Sequence, residues 1–193
     1  SSASTEAMLN AAVELILDHG ARVSMMAIGQ KSGYSHGLVL ARFGSKAGLI
    51  RAVTQRVQRS FTATIEAAVG EAKGLRRLLG LVDAFFASTA QGSVAGRAFY
   101  VLLGEALGPD PELRAAYLRI DGLFRRFIEG ILLEARDLGE IPATVDPTAT
   151  AALLVGMLRG TGMQFRINDQ AFDLSAVHAE ARSFIERLRL PPY

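Results

Sequence analysis

The sequence predicts an all-α protein: a three-helix head with a helix-turn-helix, then a helical body of about six helices. Three observations lead there. Apolar residues recur at three- and four-residue spacing along nearly the whole chain, and no segment sustains the alternation of a strand. Cap residues and breakers mark the helix ends, among them Ser24, Gly33, Ser35, Gly108-Pro109-Asp110-Pro111 and Asp146-Pro147. Charge is segregated. Between His19 and Ile65 there is no Asp or Glu, while the same interval holds seven basic residues: Arg22, Lys31, Arg42, Lys46, Arg51, Arg56 and Arg59.

The elements follow in order. A first helix runs from about Thr5 to Gly20 on an inner stripe of Leu9, Val13, Ile16 and Leu17. Ser24 caps a second helix over Met25–Ser32, which Gly33 ends by taking φ > 0. Ser35 caps a third, His36–Phe43. Met25, Ile28, Val39 and Phe43 face inward from this pair, and Gly29 is small where the two helices cross. Ser45 caps a fourth helix to about Ala72, with Leu49, Val53, Val57, Phe61 and Ile65 inside. A fifth covers about 75–90 and a sixth about 94–107. Asp110 with Pro111 opens a long seventh to about Leu138. Asp146-Pro147 opens an eighth to about Asn168, and Asp173 caps a ninth from Leu174 to about Arg189, stopped by Pro191-Pro192. The expected division is a helix-turn-helix head at 1–45 and a helical body at 46–193.

The net charge of +2 hides the contrast between a strongly basic segment and a remainder in which residues 66–193 hold 14 basic and 16 acidic side chains. Two short helices joined by a tight turn are the layout that places its second helix in the DNA major groove. A basic stretch around it is an electrostatic footprint for phosphate, although a charge run alone is often only a solvated face. The candidate contacts follow from position. Ser24 and Ser35 offer hydroxyl and helix N-terminal N–H groups to phosphate, and Lys31 and Lys46 offer cations. His36, Gly37 and Leu38 lie in the leading turn of the third helix and face base edges; Leu38 or Leu40 suits a thymine methyl, and Arg42 a phosphate or guanine. Tyr34, in the turn, is counted with them.

Over roughly residues 7–60 the chain resembles the TetR-type transcriptional regulators. The resemblance rests on MLNAAVELILDHG at 8–20, on Gly33-Tyr34-Ser35-His36-Gly37-Leu38-Val39, and on Phe43-Gly44-Ser45-Lys46. The chain departs from the family pattern in three places. The turn from Gly20 to Ser24 is one residue short, Leu40 stands where a phosphate-touching Tyr is usual, and Ala47-Gly48 replaces an acidic pair. The resemblance implies a repressor whose body encloses a pocket for a small molecule. It also implies a homodimer in which the last two helices form a four-helix bundle with those of a second subunit, on a palindromic operator.

Seven of the 14 Phe and Tyr residues fall between 75 and 130, a modest enrichment that ordinary core packing also explains. With the resemblance, the candidate pocket residues are Phe86, Phe99, Leu103, Phe124, Phe127 and Met157, with Tyr100, Tyr117, Thr161 and Gln164 as polar anchors. Arg97 and Glu105 are weaker anchors; the alternative for Glu105 is an exposed helix-end charge. The expected effector is small and largely apolar. The candidate dimer seam is Leu174, Val177, Ala181, Phe184 and Leu188 on the ninth helix, facing Gly156 and Gly160 on the eighth.

Other functions find little support. The motifs GxSxG, HExxH, GxGxxG, CxxC and the P-loop are all missing, and none of His19, His36 and His178 has a partner at ligand spacing. No enzyme, cofactor or metal is therefore expected. The chain has no Cys, no apolar run of the roughly 20 residues that span a bilayer and no signal-peptide pattern, so a cytoplasmic, membrane-free protein is expected. An architectural protein of the same fold, and more remotely a small-molecule enzyme, are the alternatives. Ligand-dependent release from DNA separates the regulator from the first, and DNA binding itself from the second.

Overall fold

The computed structural model describes residues 2–189; Ser1 and the Pro191-Pro192 stop lie outside them. The helices are α1 Ser2–His19, α2 Met25–Ser32, α3 His36–Phe43, α4 Lys46–Val69, α5 Gly74–Gln91, α6 Val94–Ala106, α7 Pro111–Asp137, α8 Pro147–Ile167 and α9 Leu174–Glu186, with a 3₁₀ turn at Gly20–Arg22. Among the described residues there is no strand. The fold is all-α with a helix-turn-helix head, as its caps and periodicity predict.

Most helix starts are set by neighbouring side chains. Ser24 Oγ accepts the Ala27 N–H at 3.0 Å, Ser35 Oγ that of Leu38 at 3.2 Å and Ser45 Oγ that of Gly48 at 3.1 Å. Asp110 and Asp146 cap α7 and α8 in the same way, each accepting two N–H groups. α5 is different, because Lys73 supplies no side-chain cap. Its first N–H groups are taken from afar: Gly74 donates to Glu134 Oε2 at 3.1 Å and Leu75 to Glu140 Oε2 at 2.7 Å.

The chain packs into two compact units: the segment through Ser60 with Ser93–Ile120, and Phe61–Gly92 with the chain from Asp121 onward. The first unit has its own core. Met8, Ile16, Val23, Ile28, Val39, Leu49 and Val53 share it with Ala98, Leu102 and Ala106 of α6 and Leu113 and Tyr117 of α7. The start of α4, α6 and the start of α7 thus complete the core that α1, α2 and α3 begin. In the second unit, α5 packs on α8 and α9 through Leu78, Leu81, Val82 and Phe85, with Leu154, Leu158, Ala181 and Ile185 opposite.

A polar clamp joins α5 to α9 within the second unit. Asp83 accepts from Arg182 Nη1 at 2.6 and 2.5 Å and is bonded to His178 Nε2 at 2.7 Å. His178 also stacks on Phe86 with ring centroids 4.7 Å apart. Burial by itself would raise the Asp83 carboxyl, but the bonds from Arg182 and His178 outweigh it and hold it below the usual carboxylate range. His178 is thus a satisfied packing histidine.

Candidate nucleic-acid interface and effector region

α2 and α3 meet through their inner faces. Ile28 and Val39 are fully buried, and Met25 and Phe43 pack half-buried beside them. Gly33, at φ 78°, ends α2 by sending its N–H back to Gln30 and Gly29. Gly29 leaves no room for a Cβ, which would sit 2.7 Å from the Tyr34 carbonyl oxygen. α4 starts just as tightly. A Cβ on Gly48 would lie 2.0 Å from the carbonyl oxygen of Phe43, so the acidic residue common here in TetR-type chains has no space.

With Val39 turned inward, the opposite face of α3 is open to solvent. His36, Gly37, Leu38, Leu40, Ala41 and Arg42 are all exposed, Leu38 by 38% and Leu40 by 43%. Tyr34 is half-buried against the core of the same unit. Ser24, Ser35 and Lys46 are exposed at helix starts. Leu38 and Leu40, two positions apart, are uncovered on opposite flanks of α3, so either one can present an apolar group to a base edge.

The basic residues divide into two groups. Lys31 Nζ lies 2.9 Å from Glu14 Oε2, and Arg56 bonds Asn10 at 2.5 Å and lies 3.4 Å from Glu6. The Glu14 hydrogen bond, with its charge, raises the Lys31 ammonium above its ordinary range. Among the described residues, Arg22, Arg42, Lys46, Arg51 and Arg59 make no ion pair. The acidic residues of α1 therefore neutralise two of the seven cations between Arg22 and Arg59 and leave five for an anionic partner.

The ten candidate pocket residues fall in both units. Phe99, Tyr100, Leu103 and Tyr117 belong to the first, where Phe99 meets Tyr100 at 5.4 Å and Tyr117 at 5.2 Å. Tyr117 is 5% exposed and donates its hydroxyl to the Phe99 carbonyl at 2.7 Å, so that hydroxyl braces α6 on α7. Phe86, Phe124, Phe127, Met157, Thr161 and Gln164 belong to the second. There Phe124 meets Phe61 at 5.4 Å, and Arg77 and Arg159 lie over the rings of Phe127 and Phe124 at 5.3 and 5.9 Å. Gln164 is exposed. A separate cleft of about 450 Å³ in the first unit lies between the starts of α4 and α7, floored by Ala21, Ile50, Leu113 and Ala116 with Lys46 and Arg51 at its rim. None of the ten residues lines it.

On α8, Gly156 is exposed and Gly160 half-buried, in line with exposed Leu153, Met163 and Ile167, the last 77% exposed. The seven-residue steps 153–160–167 and 156–163 are the signal that would have added those three apolar residues to the seam. On α9, Phe184 is exposed and Leu174, Val177 and Leu188 are half-buried, while Ala181 is turned into the core of its own unit beside Ile185. Among the described residues, no single helix is long and apolar enough to cross a membrane, and no group of His, Cys, Asp and Glu has the arrangement of a metal site.

Comparison with known proteins agrees with this geometry. The profile of the family described as "Bacterial regulatory proteins, tetR family" matches residues 8–53, and that of "Tetracyclin repressor-like, C-terminal domain" matches residues 74–180. No curated protein matches the sequence. Among solved structures, a Rhodococcus sp. protein named as a TetR-family transcriptional regulator superposes with TM-score 0.85 at 19% identity, over 97% of this chain and 99% of that one. The transcriptional regulator FadR from Bacillus subtilis, in complex with stearoyl-CoA, gives 0.79 at 21% identity over 94% and 97%. The SmeT–triclosan complex gives 0.80 at 21% identity over 98% and 92%. At these identities the likeness is one of fold. The family profiles, which cover the helix-turn-helix and more than half of the chain, carry the assignment: the chain belongs to the TetR family of DNA-binding bacterial transcriptional regulators.

Proposed function

We propose that the protein is a ligand-responsive repressor that binds a palindromic operator as a homodimer and leaves it when a small, largely apolar molecule binds the body. The carrying observation is the exposed face of α3, from His36 to Arg42, with five cations of the same unit unengaged by carboxylates. In this reading residues 1–45 read DNA, and 46–193 bind the effector and dimerise. Ser24, Ser35, Lys31 and Lys46 hold phosphates, Leu38 or Leu40 meets a thymine methyl, and Arg42 takes a phosphate or guanine. One eight-residue recognition helix reads only a few base pairs. A twofold dimer doubles its contacts on a palindrome.

The unpartnered stripe Leu153-Gly156-Gly160-Met163-Ile167 on α8, with Phe184 on α9, supports dimerisation through these helices. The ligands named for similar folds, stearoyl-CoA and triclosan, support an effector with a large apolar part. Release requires the effector to favour the dimer conformation whose two heads do not fit the operator.

The test is selection of the purified protein against random DNA, followed by gel shifts on the enriched sequence. The expected result is an enriched palindrome bound by a dimer, with affinity that falls steeply as salt rises. A protein that enriches no sequence would refute the reading.

A further inference from the structure

Glu105, offered by the sequence only as a weaker effector anchor or an exposed helix-end charge, stands half-buried in the last turn of α6. Its Oε2 accepts the backbone N–H of Ala21 at 2.7 Å, across 84 positions of sequence. Its Oε1 fills the space beside Gly20, where a Cβ would lie 1.9 Å from it. Gly20 has φ +57°, a conformation that L side chains rarely adopt. A left-handed residue with no side chain and a carboxylate seated against it are two halves of one contact.

The 3₁₀ turn held by this contact has little of its own to hold it. It is three residues long, has no side-chain cap from His19 and closes on a 3.4 Å bond from Val23 N–H to the Gly20 carbonyl. Ser24, the cap of α2, follows directly, so the turn sets where and in which direction the helix-turn-helix begins. α6 is a firm anchor. Ala98, Leu102 and Ala106 are buried in the same core as Ile16, Ile28 and Val39, and Tyr117 braces α6 through the Phe99 carbonyl.

We infer that Glu105 is a positioning residue for the DNA-reading helix: its carboxylate latches the turn ahead of α2, so the set of α2 and α3 depends on the last turn of α6. The inference rests on the DNA-binding reading and adds the point at which that reading is regulated. Movement of the α6 end shifts or frees the Ala21 N–H, and with it the start of the helix-turn-helix, while no group that touches DNA is altered.

The experiment compares wild type, Glu105→Ala, Glu105→Gln and Gly20→Ala. Binding to the operator enriched by wild type is measured by fluorescence anisotropy across a salt series, and amide hydrogen exchange is read at Ala21. In Glu105→Ala, Ala21 should exchange at least about tenfold faster, and the operator Kd should rise on the order of tenfold to a hundredfold, the range for losing a hydrogen bond to a charged acceptor. The salt slope should stay at the wild-type value, because no phosphate contact is removed. Glu105→Gln keeps an acceptor oxygen and should recover most of both losses. Gly20→Ala, which drives a Cβ into the carboxylate, should weaken binding as Glu105→Ala does.

Wild-type Kd in Glu105→Ala overturns the proposal. So does a loss matched by the unfolded fraction in a melting curve, or one that Gln does not repair. A wild-type protein that enriches no DNA refutes the DNA-binding reading instead, and Ala21 exchange then tests the latch by itself.

Discussion

The Lys31–Glu14 pair offers the sharpest test of how the head meets phosphate. The ion pair is 2.9 Å long and well exposed on both sides. If Lys31 is a phosphate contact, DNA must take it from Glu14. An exposed pair of this kind holds its partner by a factor of about one to five. Glu14→Gln should therefore tighten operator binding up to about fivefold for each head, and up to about 25-fold for a dimer engaging two. Lys31→Ala should weaken binding and flatten the salt dependence by about 0.9 per head. The double variant separates the causes. With Lys31 already replaced, Glu14→Gln removes only a negative charge near the DNA, and its gain should shrink to a small, salt-screened remainder. The assay is anisotropy with a labelled operator from low to moderate salt. A Glu14→Gln gain that is the same with and without Lys31 would show that no transfer occurs, and Lys31 would leave the set of contacts.

Further outcomes follow from the same structure. Lys46→Ala removes an unpaired cation at the start of α4, so the salt slope should fall by about 0.9 per head and binding should weaken on all sequences alike. Gly48→Ala pushes a Cβ to 2.0 Å from the Phe43 carbonyl oxygen; overpacking against backbone should cost roughly 1–3 kcal/mol in a urea melt, with operator affinity lost alongside. Phe184→Asp should give monomers in light scattering and weak operator binding, because a charge would enter the α8–α9 seam. Asp83→Asn should lower stability by about 1 kcal/mol at neutral pH, a figure held down by the exposure of the clamp. Because the Asp83 carboxyl is lowered in the fold, its contribution is complete above the unfolded value of about 3.9 and is lost as pH falls through the lowered folded value. The wild-type and Asp83→Asn denaturation midpoints should therefore converge in strong acid.

What could be read from the sequence was what local chemistry decides. α2 and α3 run over Met25–Ser32 and His36–Phe43, the spans predicted, because Ser24, Gly33 and Ser35 set their ends from within four residues. The starts of α7 and α8 were equally plain, since Asp-Pro couples a side-chain cap to a fixed φ. α1 begins at Ser2 and not near Thr5, for small polar residues at a helix start carry no periodic signal. The Gly20–Arg22 turn had no signal at all. Its conformation depends on Glu105, whose sequence context is equally that of a solvated helix end. The start of α5 was hidden in the same way, taken by Glu134 in the last turns of α7 and by Glu140 just after it.

Ala181 shows a further kind of miss. A three-and-four spacing fixes which residues share a face but not which way that face turns, and Ile185, left out of the seam, draws Ala181 inward with it. The split of the chain follows the same logic. α4 and α7 are single unbroken helices, so no breaker marks the points after Ser60 and Ile120 where their residues pass from one core to the other. Only the identity of their packing partners decides it, Leu49 and Val53 with Ile16 in one core and Ile65 with Leu78 in the other. The latch at Glu105, by contrast, lies wholly within the first unit. A variant at Glu105 should therefore change operator affinity while leaving the melting of the α5–α8–α9 core, which belongs to the other unit, unchanged.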